Sequence, residues 1–160
     1  MTKKIILDCD PGHDDAVAIM LAAASDTIDI LGITCVAGNS TLENTTENAL
    51  KICSLIGKSN IKIYAGASKP IIHDLVTAAH VHGKSGLDME GKEIKIKENY
   101  KICKTNAVDF IIQTCHKENE PIYLCPTGPL TNIALSLKKD PSISSKIKEI
   151  IFMGGAAKCL

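Results

Sequence analysis

The sequence predicts an α/β fold, a Rossmann-like and mainly parallel sheet with helices on both faces. Two observations carry that expectation. Short β-branched runs alternate strictly with longer helical ones, which is the pattern of βαβ units. Polar or glycine-rich breaks then recur just past the strand-like runs, on the edge where such sheets gather ligands.

The elements follow in order. Lys4 to Leu7 reads as a buried strand, and Asp14 to Ala24 as a helix with Asp14 and Asp15 in its first turn. Ile28 to Val36 is a second strand, rich in Ile and Val. Thr41 to Ile56 carries Leu42, Thr45, Ala49, Ile52, Cys53 and Ile56 at helical spacing, with Gly57 placed as a C-terminal cap. Ile61 to Tyr64 is a third strand. Gly66 to Tyr100 is irregular, and the stretch 66–104 reads as a lid-like insertion, since connections this long are functional or disordered. Thr105 to His116 is helical, Ile122 to Cys125 a fourth strand, Leu130 to Lys138 a further helix closed by Asp140-Pro141, and Lys148 to Met153 a fifth strand. The whole of 1–160 reads as one domain.

Composition narrows the function. With 45% hydrophobic and 22% charged residues the chain is globular. Lys plus Arg and Asp plus Glu both number 18, so no general attraction to nucleic acid or anionic lipid is implied. All the basic residues are Lys, which removes bidentate Arg recognition of phosphate. The seven cysteines are scattered, odd in number and without a C-x-x-C pair, so zinc is not expected and a reducing, cytoplasmic setting is. The longest apolar stretch, Ala16 to Ala24, is too short to span a bilayer, and no signal peptide is read.

The chemistry concentrates in Leu7-Asp8-Cys9-Asp10-Pro11-Gly12-His13-Asp14-Asp15. Four carboxylates fall together beside apolar runs, and like charges this close resist ionising together. Helix capping would account for one or two of them. It does not account for Asp8 and Asp10, which follow a strand and share a face. A turn at Pro11-Gly12 can return Asp14 or Asp15 toward Asp10, so that three carboxylates converge. Such a group suits a hard divalent cation, Ca²⁺ or Mg²⁺. The other breaks have plain readings when taken singly. Gly38-Asn39 could be only a turn, Thr127-Gly128-Pro129 a strand-to-helix connection, Gly154-Gly155 close packing, and His82 a solvated loop histidine.

Taken together, and in order, these stretches are more telling. Asp8-Cys9-Asp10-Pro11-Gly12-His13-Asp14-Asp15 resembles the D-x-D-P-G-x-D-D signature of the nucleoside hydrolase family, inosine-uridine-preferring type. Val36-Ala37-Gly38-Asn39-Ser40, His82-Gly83, Pro126 to Asn132 and Met153-Gly154-Gly155 resemble its later motifs. The resemblance implies a Ca²⁺ cofactor held by Asp10, Asp15 and the carbonyl of Thr127. It implies Asp10 as general base, Asp14, Asn39, His82 and Met153 as substrate-binding residues, and Asp8 as support behind them. The implied activity is hydrolysis of the N-glycosidic bond of purine or pyrimidine ribonucleosides by a Ca²⁺-bound water. The implied partners are a ribonucleoside and further copies of the chain, as dimers or tetramers.

The resemblance covers only the first half of the family pattern. A later Asn- and Glu-containing segment and a His-Asp pair have no counterpart, and Gly86-Leu87-Asp88 departs from the usual G-L-G. The 160-residue chain is therefore expected to be weakly active or inactive alone. One alternative is a non-catalytic nucleoside-binding or subunit-interaction domain. A phosphotransferase of the haloacid-dehalogenase type also uses D-x-D after its first strand, but here Pro11-Gly12 follow where Thr or Val is expected.

Overall fold

The computed structural model describes residues 2–88 and 94–155; residues 89–93 of the insertion, and Cys159, lie outside the described residues. The elements are β1 (Lys3–Cys9), α1 (His13–Ala24), β2 (Ile28–Cys35), α2 (Leu42–Leu55), β3 (Ile63–Ala65), α3 (Ala79–His82), β4 (Ile102–Cys103), α4 (Ala107–Lys117), β5 (Ile122–Pro126), α5 (Thr131–Lys139) and β6 (Ile147–Ile150). A 3₁₀ turn, Pro141–Lys146, joins α5 to β6, with Asp140 accepting the Ser142 N–H at its start.

The expected parallel sheet is present, and all its pairings are parallel. It holds a sixth strand beyond the five read from the sequence, in the order β4-β3-β2-β1-β5-β6. The addition is β4, two residues inside the stretch read as irregular, and α3 lies in the same stretch. The last strand also begins and ends earlier than Lys148 to Met153, although the Ile151 N–H still reaches Leu124 O and the Met153 N–H reaches Pro126 O.

Each sheet face carries its own core. On one side Leu7, Cys9, Ile33, Cys35 and Ile63 pack with Ile19 of α1 and with Ala49, Ile52 and Cys53 of α2. On the other side Ile6, Ile122 and Leu124 pack with Ile111 and Cys115 of α4, Ile133 of α5 and Ile143 of the 3₁₀ turn. Alternation along β1 sends odd and even side chains to opposite faces. Asp8 therefore shares the face of Ile6, toward α4 and α5.

The strand order supplies the reason for a site. The chain moves outward from β1 through β2, β3 and β4, then crosses back to place β5 on the other side of β1. Connections leaving β1 and β5 diverge there, opening a crevice at their carboxyl ends. Cys9 and Pro126 end those two strands, so the acidic stretch and the Thr127-Gly128 turn face each other across it. Among the described residues no helix is long and apolar enough to cross a membrane.

Candidate active site

Asp8 is the deepest of the acids. Its Oδ1 accepts the Thr34 hydroxyl at 2.5 Å and the Asn132 amide at 2.8 Å, while Oδ2 is buried without a partner. Burial pushes its carboxyl up to about 7, against the pull of Asn132 and Thr34. Two residues on, Asp10 stands where β1 has ended. Its backbone N–H donates to Asp15 Oδ2 at 3.1 Å, and its own Oδ2 accepts the Asn39 N–H at 2.6 Å. The Asn39 side-chain amide closes the loop by donating to Asp10 O at 3.1 Å. Burial also raises Asp10 to about 7, opposed by the Asn39 N–H. Asp15 is raised by burial, with the Thr127 hydroxyl working the other way.

The start of α1 explains why these acids are not caps. Its N-cap is Gly12, which has no side chain to offer, and Asp15 turns back to Asp10 instead. Two other glycines let the backbone close on Asp10. A Cβ on Gly38 would collide with Asp10 Oδ2 and fall 2.8 Å from Pro129 Cδ; one on Gly128 would lie 2.6 Å from Asp10 Oδ1. The carboxylate is thus gripped from both neighbouring loops.

Above Asp10 opens a cleft of about 380 Å³, lined among others by Asp14, Asn39, Thr127, Phe152 and Met153. Five residues singled out from sequence, Asp10, Asp14, Asn39, Thr127 and Met153, therefore meet at one cavity. Asp15 lies beside Asp10 but outside the lining, and Asp8 lies beneath. The expected convergence of three carboxylates is corrected. Among the described residues no group of three or more His, Cys, Asp or Glu is placed to hold a metal ion. The reason is the Thr34 and Asn132 hydrogen bonds, which turn Asp8 away from the cleft into the sheet.

His82 is also outside the lining. It lies over Gly12, whose Cβ would be 2.6 Å from its Nδ1, and that nitrogen is buried with no partner. Its ring stacks 5.9 Å from His13. His13, given no role from sequence, has Nε2 3.0 Å from the Asp88 carbonyl; a carbonyl only accepts, so Nε2 carries the proton. The insertion is pinned again by Asn48, whose amide donates to Pro11 O at 3.0 Å and Ser85 O at 2.9 Å. Thr34, Asn48, Asn132 and Phe152 are the residues that sequence reasoning left without a role.

The donors fit a hard cation. Asp10 and Asp15 offer buried carboxylate oxygens and the Thr127 hydroxyl is buried beside Asp15, oxygen donors of the kind that Ca²⁺ or Mg²⁺ takes. Two carboxylates raised by burial are also groups whose ionised forms a cation would stabilise.

Known proteins share this architecture. The pyrimidine-specific ribonucleoside hydrolase RihB of Escherichia coli is 47% identical over 154 residues, covering 96% of this chain and 48% of its own. Among solved structures, the purine-preferring ribonucleoside hydrolase from Gardnerella vaginalis superposes with a TM-score of 0.88 at 40% identity, over 96% of this chain and 49% of that one. A plant nucleoside hydrolase gives 0.89 at 34% identity, over 98% and 49%. The chain thus spans about half the length of the relatives it matches. The family model for inosine-uridine preferring nucleoside hydrolases matches residues 5–159, and with these likenesses it establishes that the chain belongs to that family.

Proposed function

We propose that these residues build the cation-holding, ribose-binding floor of an enzyme that hydrolyses the N-glycosidic bond of ribonucleosides, giving ribose and free base. The observation that supports it most is the meeting of Asp10, Asp14, Asn39, Thr127 and Met153 at one cleft on the switch point of the sheet. Ca²⁺, held by Asp10, Asp15 and the Thr127 carbonyl, would supply a bound water of lowered pKa. Asp10, raised by burial, would serve as the general base toward the nucleophilic water. Asp14, exposed at the cleft, and Asn39 would hold ribose hydroxyls. The carboxylates also favour the positive charge that grows on the sugar as the bond breaks. His82, in the insertion over Gly12, would close over the substrate. The absence of Arg suits a neutral, unphosphorylated ligand. We place the protein in the cytoplasm, where free thiols like its six described cysteines persist.

Calorimetry with Ca²⁺, then with uridine and inosine, tests the reading, with ribose release as the activity readout. Millimolar-range or tighter Ca²⁺ binding, lost in D10N, is expected. A folded sample indifferent to millimolar-range Ca²⁺ would sink the cation assignment. Nucleoside binding without turnover would favour the non-catalytic alternative.

A further inference from the structure

We propose that Asn132 is a positioning residue of the cleft: by clamping the Asp8 carboxylate it holds the ends of β1 and β5, and the root of the insertion, in one arrangement. This rests on the cation and nucleoside reading above. Asn132 is fully buried, and its side chain makes three hydrogen bonds, each to a different segment. Nδ2 donates to Asp8 Oδ1 at 2.8 Å and to the Cys35 carbonyl at 3.1 Å, and Oδ1 accepts the Ala67 N–H at 2.8 Å. The amide orientation is not free, since a carboxylate and a carbonyl only accept and an N–H only donates. Gly66 has no Cβ because one would overlap that amide.

Asp8 passes the constraint on. Its backbone carbonyl accepts the Thr127 N–H at 2.8 Å and the Gly128 N–H at 3.4 Å. Gly128 is the residue packed on the Asp10 carboxylate, and Asp10 follows Asp8 by two positions. Three cleft features therefore hang on one residue: the Thr127 turn, the seat of Asp10 and the start of the stretch that carries His82. Thr34 holds the same Asp8 oxygen but makes no hydrogen bond to Ala67. The two partners of Asp8 are thus separable.

The test uses the full chain and the variants N132D, T34V and the swap D8N/N132D. Ca²⁺ affinity is measured by calorimetry, and amide hydrogen exchange is followed residue by residue. N132D places a second carboxylate against Asp8 and removes the donor. Its Ca²⁺ Kd is expected to rise roughly tenfold to a hundredfold, the span of one hydrogen bond to a charged group. Exchange at Ala67, Thr127 and Gly128 should speed up together, with Ile33 in mid-sheet unchanged. The swap restores an amide facing a carboxylate, though it leaves the Cys35 carbonyl without its donor. It should recover the Kd to within about threefold if the pair acts as a unit. T34V should move Thr127 and Gly128 but leave Ala67 protected.

Unchanged affinity and unchanged exchange in a folded N132D overturn the proposal. So does faster exchange spread evenly over the sheet, which marks only a weaker fold, or a swap that recovers nothing. If the unaltered chain binds no Ca²⁺, the cation reading falls by itself, and exchange at the three amides still decides the role of Asn132. If N132D does not fold, the T34V pattern decides it.

Discussion

Raising the pH should destabilise this protein when no divalent cation is present. Asp8 and Asp10 carry carboxyls moved by burial from 3.8 to about 7. Between those values the folded chain keeps protons that the unfolded chain has released. Stability therefore falls as pH rises through the window. The penalty is absent below pH 3.8 and fully present above about 7. For one carboxyl the full shift corresponds to about 4 kcal/mol. In a domain of this size that lowers Tm by about 10 °C. Asp10, open to the cleft, contributes less than the enclosed Asp8. Asp88 and Asp140 are lowered by hydrogen bonds from Ser85 and His116, and their stabilisation is lost only as pH falls below the window. The assay is a series of thermal melts in EDTA between about pH 4.5 and 8, bracketing the two values. Ca²⁺ should offset the Asp10 part of the decline, because it binds that ionised carboxylate, and leave the Asp8 part in place; at a hundred times Kd it adds about 2.7 kcal/mol. D8N should flatten the EDTA profile. A Tm that is level or rising with pH in EDTA, or a D8N profile as steep as the parent, would refute the reasoning.

Other outcomes follow from single contacts. G38A must push Asp10 Oδ2 off the Asn39 N–H; a loss of about 1.5–3 kcal/mol in melts, with weaker Ca²⁺ binding by calorimetry, is expected. I111A hollows the core between α4 and the sheet and should cost about 2–5 kcal/mol in urea unfolding. N48A frees both Pro11 O and Ser85 O, so limited proteolysis should cut near residues 79–88 faster; an unchanged digestion rate would count against that pinning. D14N, altering an exposed cleft residue, should leave Ca²⁺ affinity nearly intact while weakening uridine and inosine binding about tenfold.

Much of this could be read from the chain, for definable reasons. The strands from Ile28 and Ile122 announced themselves, and the one read from Ile61 was met two residues later at Ile63, because β-branched runs set between helical periods have few other readings. The cleft residues were legible because each follows a strand end by a few residues, and strand order then brings those ends together. β4 and α3 were not, since two residues and four residues carry no period to detect. Thr34 and Asn132 were invisible for another reason. Their partner Asp8 lies 26 and 124 positions away, and only sheet pairing creates the contact. The same contacts turned Asp8 from the expected third convergent carboxylate into a buried brace. No local pattern could have distinguished the two, as a strand-end Asp looks alike from either side.

The crevice between β1 and β5 has one more consequence. Its polar floor comes from the tips of two neighbouring central strands, among the least adjustable points of such a sheet. On the proposed reading, discrimination between nucleobases would fall to whatever roofs the floor, where sequence could drift without disturbing the sugar's seat. Proteins named as pyrimidine-specific and as purine-preferring match this same half at 47% and 40% identity. One bench, on that view, serves trades that differ only in their tools.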